Sequence, residues 1–235
     1  MESIIYMVFI CALMGYLVGC INLSYLISKL KGYDIREHGS GNAGASNVII
    51  LMGKKIGFFV ALVDILKAYA VVRIAMSLFP DDLLAFFITA TAVILGHIFP
   101  FYMGFKGGKG LATLGGSVLA YDLKLFVILL IIAAVLVFVS DYICFAPLFA
   151  SIAFPFYTAY SNRSAIPFIF LLSTLAIIYR HLENLRRIQE GKELKFSFLW
   201  NRKREAERFG VIDDDGKTYP FEQNIGPAEH KNMNL

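Results

Sequence analysis

LATLGGSVLAY, residues 111–121, decides the topology of this chain. It is apolar and reads as a helix. At about 1.5 Å rise per residue, however, it is too short for a full crossing of a bilayer core about 30 Å thick. Immediately upstream lies GHIFPFYMGFKGGKG, residues 96–110, which sets His97, Lys106, Lys109 and the glycines Gly107, Gly108 and Gly110 at the edge of lipid-like sequence. Glycines let backbone N–H groups approach an anion, lysines neutralise it, and the start of the 111–121 helix adds its dipole to the same place. The stretch therefore predicts a phosphate-binding turn at a membrane surface. The plainer reading is a basic loop that only obeys topology rules.

Working outward, the chain has 235 residues, of which 57% are hydrophobic and 17% charged. Charged residues are thus well below the soluble average of about 25%. Apolar runs close to the length of a bilayer-spanning helix recur, so the chain reads as an integral membrane protein rather than one with a single anchor. The first run, 4–21, has no basic segment before it and no small-residue cleavage site, and is expected to be a retained span. Cys11, Cys20 and Cys144 lie inside apolar runs and read as small core residues. No His or Cys spacing suggests a metal site.

The expected spans are about 4–27, 56–79, 83–99, 111–121, 125–139, 143–159 and 165–179, with a loop over 28–55 and a further helical run over 180–194. The tail from Arg180 onward holds 11 of the 22 Lys and Arg residues, which argues for the cytoplasm. The basic loops 28–55 and 101–110 argue for the same side. These three regions share one face only if 111–121 crosses as a short or half-buried helix. The prediction is therefore all-α, about seven transmembrane helices, N-terminus outside and C-terminus cytoplasmic. Residues 1–195 form the membrane domain. Residues 196–235 form a tail: Phe196, Phe198, Leu199 and Trp200 beside Arg202, Lys203 and Arg204 suggest an interfacial anchor, and the polar end from about Asp213 suggests disorder.

Three clusters on the expected cytoplasmic face offer chemistry. GSGNAGASN from Gly39 puts three glycines, two hydroxyls and two amides in nine residues, enough donors for one anion, although such runs also make ordinary turns. The Gly96 stretch is the second. It is not a Walker A loop, since no Ser or Thr follows Lys109, and Gly216-Lys217-Thr218 is discarded because three aspartates precede it. YRHLENLRR from Tyr179 is the third. His181 and Asn184 share a helix face, as do Arg180, Asn184 and Arg187. Anionic headgroup binding accounts for the arginines alone. Asp64 and Lys67, an i, i+3 pair inside an apolar run, read as a structural ion pair, and Arg73 snorkels or faces the bundle. The acyltransferase pattern of His with Asp five residues later is absent at His38, His97, His181 and His230. No Ser-His-Asp order is legible, so a mechanism without a dedicated protein base has to be considered.

Taken together, these clusters resemble the bacterial acyl-phosphate:glycerol-3-phosphate acyltransferase family, whose members share a GSGNxGxTN loop, a GHxFPxxxxFKGGKGxAT stretch and a YRHxxNxxR segment. The likeness spans about residues 4–195. It implies a seven-helix fold in the bacterial plasma membrane with its active site facing the cytoplasm. It also implies transfer of an acyl group from acyl phosphate to the 1-hydroxyl of glycerol 3-phosphate, the first step of phospholipid synthesis. The products are lysophosphatidic acid and phosphate. No cofactor is implied: no nucleotide, metal or CoA. Membrane lipid is the surrounding partner, and nucleic acid is not one. Carried over by motif, Ser40, Lys109, His181 and Asn184 are the catalytic candidates. Ser40 hydrogen-bonds at the reacting phosphate or carbonyl, Lys109 balances phosphate charge, and His181 and Asn184 orient the acceptor or the developing oxyanion. Gly39, Gly41, Asn42, Ser46, Asn47, Lys106, Gly107, Gly108 and Arg180 are the substrate-binding candidates.

One position departs from the pattern. The family usually has an Arg three residues after the last Asn of the first motif, and here that residue is Ile50. Either Lys54, Lys55 or Arg180 takes over its charge, or the chain acylates a different small polar acceptor. A transporter of a phosphorylated metabolite is a further reading, which Asp64, Lys67 and Arg73 fit. Against it, no inverted repeat relates the halves.

Overall fold

A computed structural model describes residues 2–193 and 195–199, and among them the chain is helical with no strand. The α-helices are α1 (Glu2–Cys20), α2 (Leu23–Leu30), α3 (Ala45–Met52), α4 (Lys54–Leu78), α5 (Leu83–Ile98), α6 (Leu111–Tyr121), α7 (Leu123–Ser140), α8 (Phe145–Asn162) and α9 (Leu171–Gln189). Four helical stretches are long and apolar enough to cross a membrane: Glu2–Leu30, Leu83–Met103, Leu123–Ser140 and Ile166–Gln189. α4 has the length, but Asp64, Lys67 and Arg73 interrupt its apolar run. On α7, Ile128, Ile131, Val135 and Phe138 are more than half exposed, an outward face suited to lipid tails.

α5 is the axis of the bundle, buried on nearly every side. α1 lies against it through small residues, because two helices in lipid gain by bringing their backbones close. A Cβ at Gly19 would stand 2.3 Å from the carbonyl oxygen of Val93, and one at Gly96 would stand 2.2 Å from that of Tyr16. α6 meets α4 in the same way at Gly116, where a Cβ would fall 2.2 Å from the Ile65 carbonyl oxygen. At the far end Phe86, Phe87, Tyr121, Phe154 and Phe170 pack edge to face, with Phe154 and Phe170 centroids 5.1 Å apart.

Three expectations need correction. The first span is not continuous. It breaks at Ile21–Asn22, where Asn22 caps α2: its Oδ1 accepts from the Tyr25 N–H at 2.9 Å and its Nδ2 donates to the Ala43 carbonyl at 3.0 Å. A break in a membrane helix is sustained only where the freed carbonyls find donors. Here Tyr102 Oη donates to Cys20 at 2.8 Å, and Lys67 Nζ donates to Gly19 at 3.2 Å and to Ile21. Second, the segment 28–55 is not wholly a loop, since it contains α3, which begins at Ala45 directly after the glycine-rich turn. Third, the last span and the helical run after it are one helix, α9, which stops at Gln189 and turns through Gly191 at φ +68°. Within the expected interfacial segment, the Phe196 N–H donates to the Asp141 carbonyl at 2.7 Å, in the α7–α8 turn. Trp200 and all residues after it lie outside the described residues.

Candidate active site

The glycine-rich loop before α3 is shaped by one buried amide. Asn47 Nδ2 donates to the carbonyls of Ile35 and His38, both at 3.0 Å, and its Oδ1 accepts from the Ser40 N–H at 2.8 Å. Gly41 supplies a φ of +70°, which a residue with a Cβ resists. The loop is pinned to its neighbour by Arg36, which pairs with Asp34 at 2.7 Å and donates to the Met103 carbonyl. Hydrogen bonding from the Arg36 guanidinium holds the Asp34 carboxyl well below the usual carboxylate range.

The second loop folds back over the C-terminal end of α5. Gly107 and Gly108 N–H groups donate to the carbonyls of Ile98 and His97, at 2.9 and 3.0 Å. Gly108 has to be small, because a Cβ there would lie 2.0 Å from His97 Nε2. Arg180 on α9 clamps the turn by donating to the Gly107 carbonyl at 3.1 Å. The loop delivers Lys109 to α9, where its ammonium donates to Asn184 Oδ1 at 2.6 Å. Asn184 Nδ2 in turn donates to Glu193 Oε1 at 2.5 Å, and Arg187 Nε donates to Glu193 Oε2 at 2.8 Å. The Asn184 amide orientation follows, since an ammonium only donates and a carboxylate only accepts. Burial, with the positive charge of Arg187 next in weight, lowers Lys109 to a pKa of about 8. His181 Nδ1 lies 2.7 Å from the Ile177 carbonyl. A carbonyl only accepts, so Nδ1 carries the proton and Nε2 is the acceptor nitrogen.

These elements enclose one cavity of about 290 Å³. Its lining combines polar residues, Ser40, Asn42, Ser46, Lys109, His181, Asn184, Arg187 and Glu193, with apolar ones that include Ile49, Phe58, Ala61, Leu111, Ile143, Pro147 and Phe196. All four catalytic candidates, Ser40, Lys109, His181 and Asn184, line it, as do the binding candidates Asn42 and Ser46. Asn42 Oδ1 is buried without a hydrogen-bond partner among the described residues. The other binding candidates do not line the cavity. Gly39, Gly41 and Asn47 shape the first loop, Gly107, Gly108 and Arg180 shape the second, and Lys106 points to the exterior. Ile50 is buried, as are the cavity-lining Ile49 and, in part, Ser46, while Lys54 and Lys55 are exposed and off the cavity. Lys109 and Arg187 are the cations among its lining residues.

Asp64 and His97 also line the cavity; the sequence placed His97 in the phosphate-binding stretch without a role of its own and read Asp64 as a structural ion-pair partner. The i, i+3 signal did give the Asp64–Lys67 pair, found at 2.7 Å with both side chains buried. His97 Nδ1 joins it 3.2 Å from Lys67 Nζ, a contact between residues 30 apart in sequence that no local spacing announces. Glu193 was missed for another reason: past the end of α9, nothing in the pattern distinguishes it from a solvated glutamate.

A family model described as "Glycerol-3-phosphate acyltransferase" matches residues 9–191. The chain is 37% identical over 201 residues to glycerol-3-phosphate acyltransferase 1 of Oceanobacillus iheyensis, covering 83% of this chain and 97% of that protein. It is 37% identical over 183 residues to the glycerol-3-phosphate acyltransferase of Aquifex aeolicus, covering 77% and 95% respectively. Among solved structures it is similar to the crystal structure of PlsY, an integral membrane glycerol 3-phosphate acyltransferase, in its glycerol 3-phosphate form. That match has 34% identity and a TM-score of 0.75, over 83% of this chain and 98% of that one. The lysophosphatidic acid form of the same protein matches at 33% identity and a TM-score of 0.71, over 80% and 94%.

Proposed function

Because the chain belongs to the glycerol-3-phosphate acyltransferase family, we propose that it moves a fatty acyl group from acyl phosphate to the 1-hydroxyl of glycerol 3-phosphate at the cytoplasmic face of a seven-span membrane domain. The observation that carries this reading is the meeting of three separated motifs around one cavity whose lining holds both polar and apolar side chains. Two phosphorylated substrates need the cations and loop donors, and an acyl chain needs the apolar wall. The hydroxyl oxygen attacks the acyl carbonyl, the bond from the acyl carbon to the phosphate oxygen breaks, and inorganic phosphate leaves. His181, through its acceptor nitrogen, orients the attacking hydroxyl. Lys109 offsets phosphate charge, and Ser40 and Asn42 hydrogen-bond the reacting group. Preorganised donors of this kind are worth about 3 kcal/mol each, so Ser40→Ala is expected to lower kcat on the order of 10²-fold.

The hydroxyl proton passes to a phosphoryl oxygen of a substrate. The two carboxylates that line the cavity are already engaged, Asp64 with Lys67 and Glu193 with Asn184 and Arg187, which supports a reaction without a protein base. Loss of all turnover in a folded Asp64→Asn or Glu193→Gln variant would overturn that route. The reaction as a whole is tested with purified protein, acyl phosphate and glycerol 3-phosphate, measuring lysophosphatidic acid and phosphate together. Ile50 motivates one second reading, a different small polar acceptor. Competition among several acceptors decides it. If Ile50→Arg raises turnover with glycerol 3-phosphate, the missing arginine is a weakened contact to that acceptor; if it does not, Lys109 and Arg187 carry the charge.

A further inference from the structure

The family model's match ends at residue 191, yet the wall of the cavity does not. Past Gly191 the chain runs from α9 to the α7–α8 turn, where Asp141 holds it. Asp141 accepts from the Phe196 N–H through its carbonyl at 2.7 Å, from the Ser197 N–H through Oδ1 at 2.8 Å, and from the Ser197 hydroxyl through Oδ2 at 3.1 Å. Asp141 stands at the C-terminus of α7 with φ +62°, so its carboxylate is aimed along this strap by an unusual backbone conformation. The Phe196 ring meets Phe138 edge to face, centroids 5.3 Å apart, and lines the cavity, as do Ile143 and Pro147.

We propose that Phe196 is a substrate-specificity residue which completes the wall against which the acyl chain of the donor lies. Pro147, Ile143 and Phe196 line the cavity, and Phe196 touches Phe138, which is 65% exposed on the helix that carries the apolar outward face. Phe196 thus links the cavity lining to the lipid-facing surface. A phosphate or a glycerol backbone gains nothing from such a surface, whereas methylenes leaving the bilayer do. The strap also carries Glu193, which bonds Asn184 and Arg187, so the test substitutes Phe196 and Asp141 and leaves Glu193 in place.

The inference rests on the acyl-transfer reading above, and steady-state kinetics of the full chain separate the two. With wild-type protein, turnover of a long-chain acyl phosphate with glycerol 3-phosphate tests that reading alone. Phe196→Ala is expected to raise the KM for the long-chain donor on the order of tenfold, with the KM for glycerol 3-phosphate unchanged. Phe196→Leu, which keeps an apolar wall, recovers most of the donor KM. Asp141→Gly tolerates the positive φ while removing both side-chain bonds to the strap, and reproduces the Phe196→Ala shift in a chain whose Phe196 is intact. A KM change confined to glycerol 3-phosphate would make the strap a rim for the polar acceptor and overturn the inference. Unchanged kinetics in both Phe196→Ala and Asp141→Gly would overturn it as well.

Discussion

Lys109 is held by a tension between burial and need. Its ammonium is mostly removed from water and keeps its charge through Asn184 Oδ1 at 2.6 Å and the nearby field of Glu193. With a pKa lowered to about 8, the free enzyme loses this cation as pH rises through that value, so kcat/KM should fall on the alkaline side. The stability contribution has the opposite sign: between about 8 and the unfolded value the unfolded state binds the extra proton, so stability rises with pH there. A pH profile of Lys109→Arg checks the assignment, because a guanidinium stays charged and the alkaline limb should move upward. Glu193→Gln should lower stability by about 2 kcal/mol, since it weakens charged hydrogen bonds to both Arg187 and Asn184. Thermal unfolding in detergent measures that loss. At this scale the sequence disclosed Ser40, Lys109, His181 and Asn184 because their neighbours form recognisable strings. It did not disclose Asp64, His97 or Glu193 as cavity residues, because their partners are distant in sequence or lie beyond the end of a helix.

The helices divide by how they meet. α1 and α5 touch through glycines, and each added methyl would strike a carbonyl. Gly96→Ala should therefore cost about 1–3 kcal/mol by forcing α1 away from α5, visible as a lowered unfolding temperature in detergent. Gly104→Ala is the matched control at a glycine with positive φ and open space around it, reporting backbone strain alone. Asn22→Ala should remove about 1 kcal/mol by uncapping α2 and releasing the Ala43 carbonyl. Span positions were legible because runs of apolar residues state their own length: the 56–79, 83–99 and 111–121 readings match α4, α5 and α6 to within two residues. The break at Asn22 was not legible. Its polar side chain was visible, but the donors that make interruption tolerable, Tyr102 and Lys67, come from far along the chain.

For the molecule as a whole, the number of crossings turns on α6. If α6 crosses, Lys106→Cys and Lys124→Cys, each in a chain with Cys11, Cys20 and Cys144 replaced by serine, should react with an impermeant maleimide from opposite sides of sealed vesicles. Labelling from the same side would remove one crossing and move the tail to the other face. The convergence of the three motifs was anticipated by charge: loops of one sign belong on one side of a bilayer. The strap through Phe196 was not, since a hydrophobic residue followed by basic ones reads equally well as a headgroup anchor. Lys67 carries a temporal consequence. The ribosome releases residues 19–21 well before residue 67, so the amputated end of the first helix waits for an ammonium not yet made, and the waiting oxygens share with Asp64 the task of offsetting that ammonium's cost in the bilayer. A nascent chain halted before α4 should thus be prey to membrane quality-control proteases, while the finished chain escapes them.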